Sequence, residues 1–258
     1  MIIDTHTHYH HRRFSSDRAA VLEHIRNAGV SKIIEVPISL ESNNEVARLA
    51  SEYPWIYPAF GIHPNQTVMI EQSQTDFVIY ELRHFFEKHN AVAIGEIGLD
   101  YKRVTDEPQR KYQRQWFETL LELGIEAEKP IILHVREAPR DALDILESFN
   151  RCFSGVVHCY SEDREIAKEY IDMGFALGVG GSLTYDTADN VRDAVKYAPS
   201  DMLLLETDAP FLTPVGCEGK NNSGNISAII SVLASIRNED EEQIIWQTTK
   251  NAEMIFGI

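Results

Sequence analysis

The sequence predicts a (β/α)8 TIM barrel that spans residues 1–258 as one domain. Short apolar runs alternate with helical patterns along the whole chain, and eight such pairs fit its length. Several runs are continuously apolar, as in a parallel sheet that is covered on both faces. A doubly wound open sheet is the alternative. GVGGSLT at 178–184 lacks the GxGxxG spacing and comes late, which argues against a dinucleotide fold.

The predicted strands begin at the N-terminus and recur after each helical pattern. In chain order they are MIIDTH, SKIIEVP, WIYPAF, AVAIGEI, PIILHV, SGVVHCY, FALGVG and MLLLETD. Helical patterns between them include 17–27, 41–52, 109–123 and 163–173. Gly29, Gly124 and Gly174 are each expected to end a helix, because glycine readily adopts the left-handed conformation found there.

Composition indicates an ordinary globular protein, with 43% hydrophobic and 25% charged residues. No apolar run approaches the roughly 18 residues of a membrane span, and no signal-peptide pattern opens the chain. Cys152, Cys159 and Cys217 are few and unpatterned, which predicts reduced thiols in a cytoplasmic protein. Strand alternation after His158 predicts that Cys159 points into the core.

The formal net charge of −16 argues against a general nucleic-acid coat protein. It leaves open an enzyme that acts on nucleic acid, because bound divalent ions and basic loops reverse the sign of the potential locally.

Polar side chains of metal-binding type occur at the ends of predicted strands 1, 4, 5, 6 and 8. They are His6, His8, Glu96, His134, His158 and Asp208. In a barrel the carboxyl ends of the strands converge on one mouth, where active sites of this fold lie. Four imidazoles and two carboxylates suit one or two divalent ions such as zinc, manganese, nickel or magnesium. Each residue alone also fits a structural role, but that reading is weak for all six together.

Six segments resemble the TatD family of metal-dependent hydrolases, within the amidohydrolase-like barrels. They are DTHTH at 4–8, GIHP at 61–64, GEIGLDY at 95–101, LHVREA at 133–138, HCYS at 158–161 and ETDAPFLTP at 206–214. The segments follow the family order over nearly the whole chain. GEIGLDY and ETDAPFLTP are specific, whereas DxHxH is shared with many relatives.

The resemblance implies a barrel, a divalent metal site and hydrolase activity, typically that of a deoxyribonuclease. It implies that one metal is held by His6, His8, Glu96 and Asp208. A second metal is then held by Glu96, His134 and His158, with Glu96 bridging. Such metals let water ionise near neutral pH to a hydroxide that attacks phosphorus or a carbonyl carbon. Asp208 is placed to accept the proton of that water, so Glu96 and Asp208 are the candidate catalytic residues.

Candidate substrate contacts lie on loops that follow the catalytic strands. His63 matches the family's GxHP, and Arg136 shares its strand face with His134. Arg12 and Arg13 follow the histidine cluster in a basic, aromatic loop, as expected of a surface that contacts phosphates and bases. Each of these positions also fits a structural role or a solvated surface.

Two positions depart from the family pattern. Lys220, a further candidate phosphate contact, lies in GKNNSG where the family commonly continues GKRNEP. Glu162 stands where the family usually has a small residue, and there it would either repel phosphate or supply another acid.

Two classes of function fit these residues. The first is a metal-dependent phosphodiesterase acting on DNA ends, which the basic, aromatic loops favour. The second is an amidohydrolase or esterase acting on a small metabolite or aminoacyl conjugate, which the net charge and GKNNSG favour. The expected substrate is therefore DNA or a small phosphoester or amide, and no membrane partner is expected.

Overall fold

The structure, a computed structural model that describes residues 1–258, contains eight parallel strands arranged as a barrel. The strands are β1 (Ile2–Thr7), β2 (Val30–Glu35), β3 (Ile56–Phe60), β4 (Ala93–Asp100), β5 (Ile131–Arg136), β6 (Gly155–His158), β7 (Phe175–Val179) and β8 (Leu203–Leu205). They are hydrogen-bonded in sequence order from β1 to β8. The barrel closes just beyond β8, where Thr7 pairs with Ala209. The predicted fold class is confirmed.

Helices connect the strands and cover the outside of the barrel. They are α1 (Arg18–Asn27), α2 (Ser42–Glu52), α3 (Pro64–Thr67), α4 (Thr75–Lys88), α5 (Glu107–Glu126), α6 (Pro139–Ser148), α7 (Arg164–Asp172), α8 (Asp189–Tyr197), α9 (Ile226–Arg237) and α10 (Glu241–Phe256). None of them has both the length and the apolar character that crossing a membrane requires.

Strand alternation divides the core into two layers. Leu133 and Val157 belong to the large cluster between strands and helices, whereas Ile132 belongs to the smaller cluster inside the barrel. His134 follows Ile132 by two residues and therefore points inward. His134 is also in register with His158 of the neighbouring strand. The same alternation that packs the barrel thus directs both imidazoles to its mouth.

Two of the three glycines predicted to end helices do so. Gly29 and Gly174 follow α1 and α7 with φ of 93° and 98°. The prediction for Gly124 is wrong, because α5 continues to Glu126. A Cβ at Gly124 would lie 2.6 Å from Cγ2 of Ile94 in β4, so glycine is needed there for close packing of the helix on the sheet.

Candidate active site

The first group of converging side chains contains His6, His8 and Asp208 at the mouth of the barrel. Nε2 of His8 lies 3.2 Å from Nε2 of His6 and also 3.2 Å from Oδ1 of Asp208. Ligands of a tetrahedral zinc ion, bound at 2.0–2.1 Å, stand about 3.3 Å apart. The spacing of these donor atoms therefore suits a shared divalent cation.

Glu96 lies at the centre of the site. Its Oε2 is 3.2 Å from Nε2 of His6, 3.5 Å from Nε2 of His158 and 3.6 Å from Nδ1 of His134. Glu96 belongs to β4, which continues to Asp100, so it occupies the middle of its strand and not the end that the sequence predicts. One carboxylate thus contacts histidines from three strands, as a ligand bridging two cations would.

The compact groupings differ from the two ligand sets that the resemblance implies. Donor atoms of His6, Glu96 and His158 lie within 4.8 Å of one another, as do those of His6, His8 and Asp208. His134 forms a compact group with His63 and Asp100 instead. Short distances nevertheless connect all six candidate ligands into one cluster, which His134 joins through Glu96.

Outer partners fix the orientation of the histidine rings. Nδ1 of His8 lies 2.6 Å from the carbonyl oxygen of Val36. Because a carbonyl only accepts hydrogen bonds, Nδ1 carries a proton, which leaves Nε2 as the ring atom that can bind a cation. Nδ1 of His158 lies 2.8 Å from Oε1 of Glu206, which favours the same tautomer.

The electrostatics of the site keep its carboxylates ionised. Burial raises the pKa of Glu96, but the imidazoles of His63 and His6 outweigh it and hold the pKa well below its usual range. Burial also raises the pKa of Asp208, and the hydrogen bond with His8 reverses the shift, so the net pKa is lowered. Burial, with the nearby charge of His158, lowers the pKa of His6. Anionic oxygens and the neutral His6 imidazole are protonation states that metal binding needs. Burial of His8 is outweighed by Asp208, which raises the pKa of His8 to about 9, so a cation at this ring would displace a proton.

His63 contacts Glu96 in a way that argues against a role as a metal ligand. Its Nδ1 accepts a hydrogen bond from the backbone N–H of Asn65, so Nε2 carries the proton of the neutral ring. The protonated Nε2 lies 3.4 Å from Oε1 of Glu96. Burial lowers the pKa of His63 to about 3, against the opposing effect of Glu96. His63 therefore has no free lone pair to offer, and the group that it forms with Asp100 and His134 contains fewer than three ligands for a cation.

The predicted substrate contacts occupy different environments. Arg12, Arg13 and Arg136 are exposed and form no ion pair. The Arg13 guanidinium lies 5.2 Å from the ring centre of Phe211, beside the site. Lys220 is engaged instead, since Nζ donates to Oδ1 of Asp17 at 2.5 Å and to the carbonyl oxygen of Arg13 at 2.9 Å.

Several residues of the site escape sequence reasoning. Glu206 accepts a hydrogen bond from the backbone N–H of Cys159 at 2.7 Å, and a Cβ at Gly178 would lie 2.3 Å from its Oε2. The core prediction for Cys159 is wrong, because β6 ends at His158 and Cys159 has φ of 47°. Its thiol lies among His158 and Glu206, half-buried. Glu206 stands two residues before the predicted ligand Asp208, and this proximity is the sequence signal that could have identified it.

Comparison with known families agrees with this geometry. The family model described as TatD related DNase matches residues 3–257. The chain belongs to the TatD family. It is 33% identical over its full length to the uncharacterized metal-dependent hydrolase YabD of Bacillus subtilis, all of which is covered. This family member is therefore a metal-dependent hydrolase, and the expected divalent ions fit the donor groups at the mouth of its barrel.

Two further relatives resemble this TatD-family hydrolase closely. The crystal structure of the TatD homologue YjjV from Escherichia coli K12 superposes with a TM-score of 0.91 at 32% identity, covering 100% of this chain and 98% of that one. The 3'-5' ssDNA/RNA exonuclease TatD of Citrobacter koseri is 30% identical over 95% of both chains.

Proposed function

We propose that this TatD-family hydrolase is a phosphodiesterase that removes nucleotides from the 3′ end of DNA. The observation that carries the proposal is the combination of a carboxylate–imidazole centre with exposed arginines that lack ion pairs around the same mouth. Arg12, Arg13, Arg103 and Arg136 are such residues in a chain of net charge −16. Arginine offers a planar fork of donors that suits phosphate. The name of the Citrobacter koseri relative supports a nuclease that acts from the 3′ end.

Divalent ions held by the six candidate ligands would supply Lewis acidity, which promotes ionisation of water and polarises a phosphoryl oxygen. Glu96 holds the two halves of the site together through Oε2. The Asp208 side chain is 14% exposed and ionised, so it is placed to accept the proton of the attacking water. His63 keeps Glu96 oriented through Nε2–H.

The basic residues position the DNA strand in this proposal. Arg12 and Arg13 contact backbone phosphates beside β1, and Arg136 does so beside β5. Lys220 supports the Arg12–Arg13 loop, because its ammonium group holds the Arg13 carbonyl and lies 4.8 Å from the ring centre of Phe14. Its contribution to phosphate binding is then indirect.

The test is cleavage of 5′-labelled single-stranded and duplex DNA by the purified protein, with Mg²⁺, Mn²⁺ and Zn²⁺ compared. We expect stepwise shortening from the 3′ end that chelator abolishes. Glu96→Gln is the control for a contaminating nuclease, because it removes the central carboxylate. No cleavage with any of the three ions, in protein that binds them, would refute the proposal.

A hydrolase of a small amide or ester is the second candidate. The net charge favours it. The ion pair between Lys220 and Asp17 also favours it, because it neutralises a positive charge that could otherwise bind phosphate. Such a substrate is held by shape and a few polar groups, and its turnover would not depend on Arg12 or Arg13. We also propose a cytoplasmic location, which the three free cysteines support.

A further inference from the structure

His10 is held beside the active site by a buried carboxylate that the mechanism above does not use. Oε1 of Glu35 accepts the backbone N–H of His10 at 2.7 Å and lies 2.8 Å from its Nδ1. Oε2 of Glu35 accepts the hydroxyl of Thr7 at 2.8 Å. The Glu35 side chain is completely buried, and that of His10 is 6% exposed. Two hydrogen bonds thus hold His10 against Glu35 just beyond β1, and a third, from Thr7, holds the carboxylate itself.

The hydrogen bonds also fix the tautomer of His10. An ionised carboxylate only accepts hydrogen bonds, so Nδ1 carries the proton and Nε2 of the neutral ring carries a lone pair. Burial raises the pKa of Glu35 and the bond with His10 lowers it, with a net downward shift, so Glu35 is ionised. Nε2 makes no hydrogen bond within the chain and is not sealed from solvent. The pair therefore offers a fixed hydrogen-bond acceptor to a ligand.

The position of this acceptor relative to the centre selects its ligand. The His10 ring lies 5.7 Å from the ring of His8, edge to face. An ionised phosphate oxygen has no proton to donate to Nε2 of His10, and the Glu35 carboxylate behind the ring repels it. A hydroxyl can donate a hydrogen bond to Nε2. If the last phosphodiester of a DNA 3′ end occupies the centre, one sugar separates that phosphate from the terminal 3′-hydroxyl. The distance between the rings of His8 and His10 is comparable with the size of one sugar, so His10 lies where this hydroxyl would be.

We propose that His10, oriented by Glu35, accepts a hydrogen bond from the 3′-hydroxyl of the terminal nucleotide. The inference rests on the proposed function and adds to it a specificity-determining contact for a free 3′ end. A lost hydrogen bond of this kind lowers the rate roughly two- to tenfold.

The experiment compares three single-stranded oligonucleotides that differ only at the terminal 3′ position, which carries hydroxyl, fluorine or hydrogen. The readout is kcat/KM for removal of the last nucleotide. Fluorine has nearly the size of a hydroxyl but donates no hydrogen bond. We expect the hydroxyl end to react roughly two- to tenfold faster than both others, which should react alike. Equal rates for all three ends in the wild type would overturn the inference while leaving the nuclease proposal intact.

Variants assign the preference to His10. We expect His10→Phe to remove it, so that the three ends react at one rate, and Glu35→Gln to retain part of it, because the amide oxygen still accepts Nδ1–H. His11→Asn is the matched control, since Asn keeps the helix-capping role of this neighbour.

An unchanged preference in metal-replete His10→Phe would overturn the inference. A uniform loss of rate at all three ends would do so too, because it points to the attacking water. Absence of cleavage of every end by the wild type would refute the nuclease proposal itself.

Discussion

The Asp100 carboxylate lies behind the His134 ring, with Oδ2 3.5 Å from Nε2, while Nδ1 of the ring faces Glu96. Oδ2 of Asp100 also accepts the side-chain amide of Asn65 at 2.9 Å, and Oδ1 accepts the backbone N–H of Arg103 at 3.0 Å. Burial raises the pKa of Asp100, and these bonds together with His134 reverse the shift, so the carboxyl is ionised. Asp100 is therefore a fixed anion that orients His134.

We expect Asp100→Asn to weaken binding of the second divalent ion about 10- to 100-fold, because partners that orient a ligand ring have effects of that size. Binding of the first ion, at His6, His8 and Asp208, should change little. Titration calorimetry with Zn²⁺ or Mn²⁺ separates the two events. The exposed Asp201→Asn serves as a control. Equal weakening of both ions would show that Asp100 supports the whole barrel mouth and not His134.

Glu96→Gln is expected to lose most activity and to bind fewer than the wild-type number of ions. A neutral amide bridges two cations poorly, whereas the carboxylate contacts three histidines. Elemental analysis of metal-repleted protein measures the stoichiometry. The surface variant Glu126→Gln, which affects only an exposed ion pair with Arg83, should match the wild type. Near-normal rates in Glu96→Gln would mean that the attacking water is held in another way.

Gly98 is required by the backbone beneath the site. It has φ of 138°, and a Cβ there would lie 2.0 Å from the carbonyl oxygen of His134. Gly216 has φ of 85° but nothing within 4 Å, so it is a matched control. We expect Gly216→Ala to cost about 1 kcal/mol in unfolding free energy. Gly98→Ala should cost about 1–3 kcal/mol more, because the clash adds to the conformational strain. Denaturant unfolding of both variants makes the comparison, and equal costs would show that β4 and β5 can separate freely.

The convergence of six polar residues was predictable because local rules determine it. Strand alternation points His134 and His158 inward, and sequential parallel strands place their ends at one mouth. The outer partners depend on packing. Glu35 meets His10 because β1 and β2 pair with Thr7 opposite Glu35, a register that no pattern in the sequence specifies. The prediction that Gly124 ends a helix failed for the same reason, because its close contact with Ile94 depends on packing.

The stability of the apoprotein should depend on pH through Glu35. Its pKa is lowered by folding from the usual value of 4.5, against the opposing effect of burial. Ionised Glu35 therefore stabilises the fold above that pH, and the contribution is lost as the pH falls through the lower folded-state pKa. We expect the difference in unfolding free energy between wild type and Glu35→Gln to be greatest near neutral pH and to narrow below 4.5. A difference that is constant with pH would show that Glu35 does not titrate differently on folding.

The Arg12–Arg13 loop provides the test that separates the two candidate functions. Both side chains are exposed and form no ion pair, whereas Lys102, on the loop that follows β4, is paired with Glu137 at 2.9 Å. Each phosphate contact that releases a counterion contributes about 0.7 to the salt dependence of binding to a single strand and about 0.9 for duplex. Changing both arginines to alanine should therefore weaken DNA binding and reduce the slope of log K against log salt by about 1.4 for single strands.

Metal content should stay unchanged in this double variant, because neither arginine contacts a candidate ligand. Lys102→Ala is the control, since its charge is already paired and its loss should alter the slope less. Fluorescence anisotropy of a labelled oligonucleotide over a range of salt concentrations, in Glu96→Gln background to prevent cleavage, gives the slopes. An unaltered slope in the double variant would remove the loop from the DNA-binding surface. Turnover of a small ester or amide at the wild-type rate by the double arginine variant with Glu96 intact, together with no DNA binding in the Glu96→Gln proteins, would favour the second candidate.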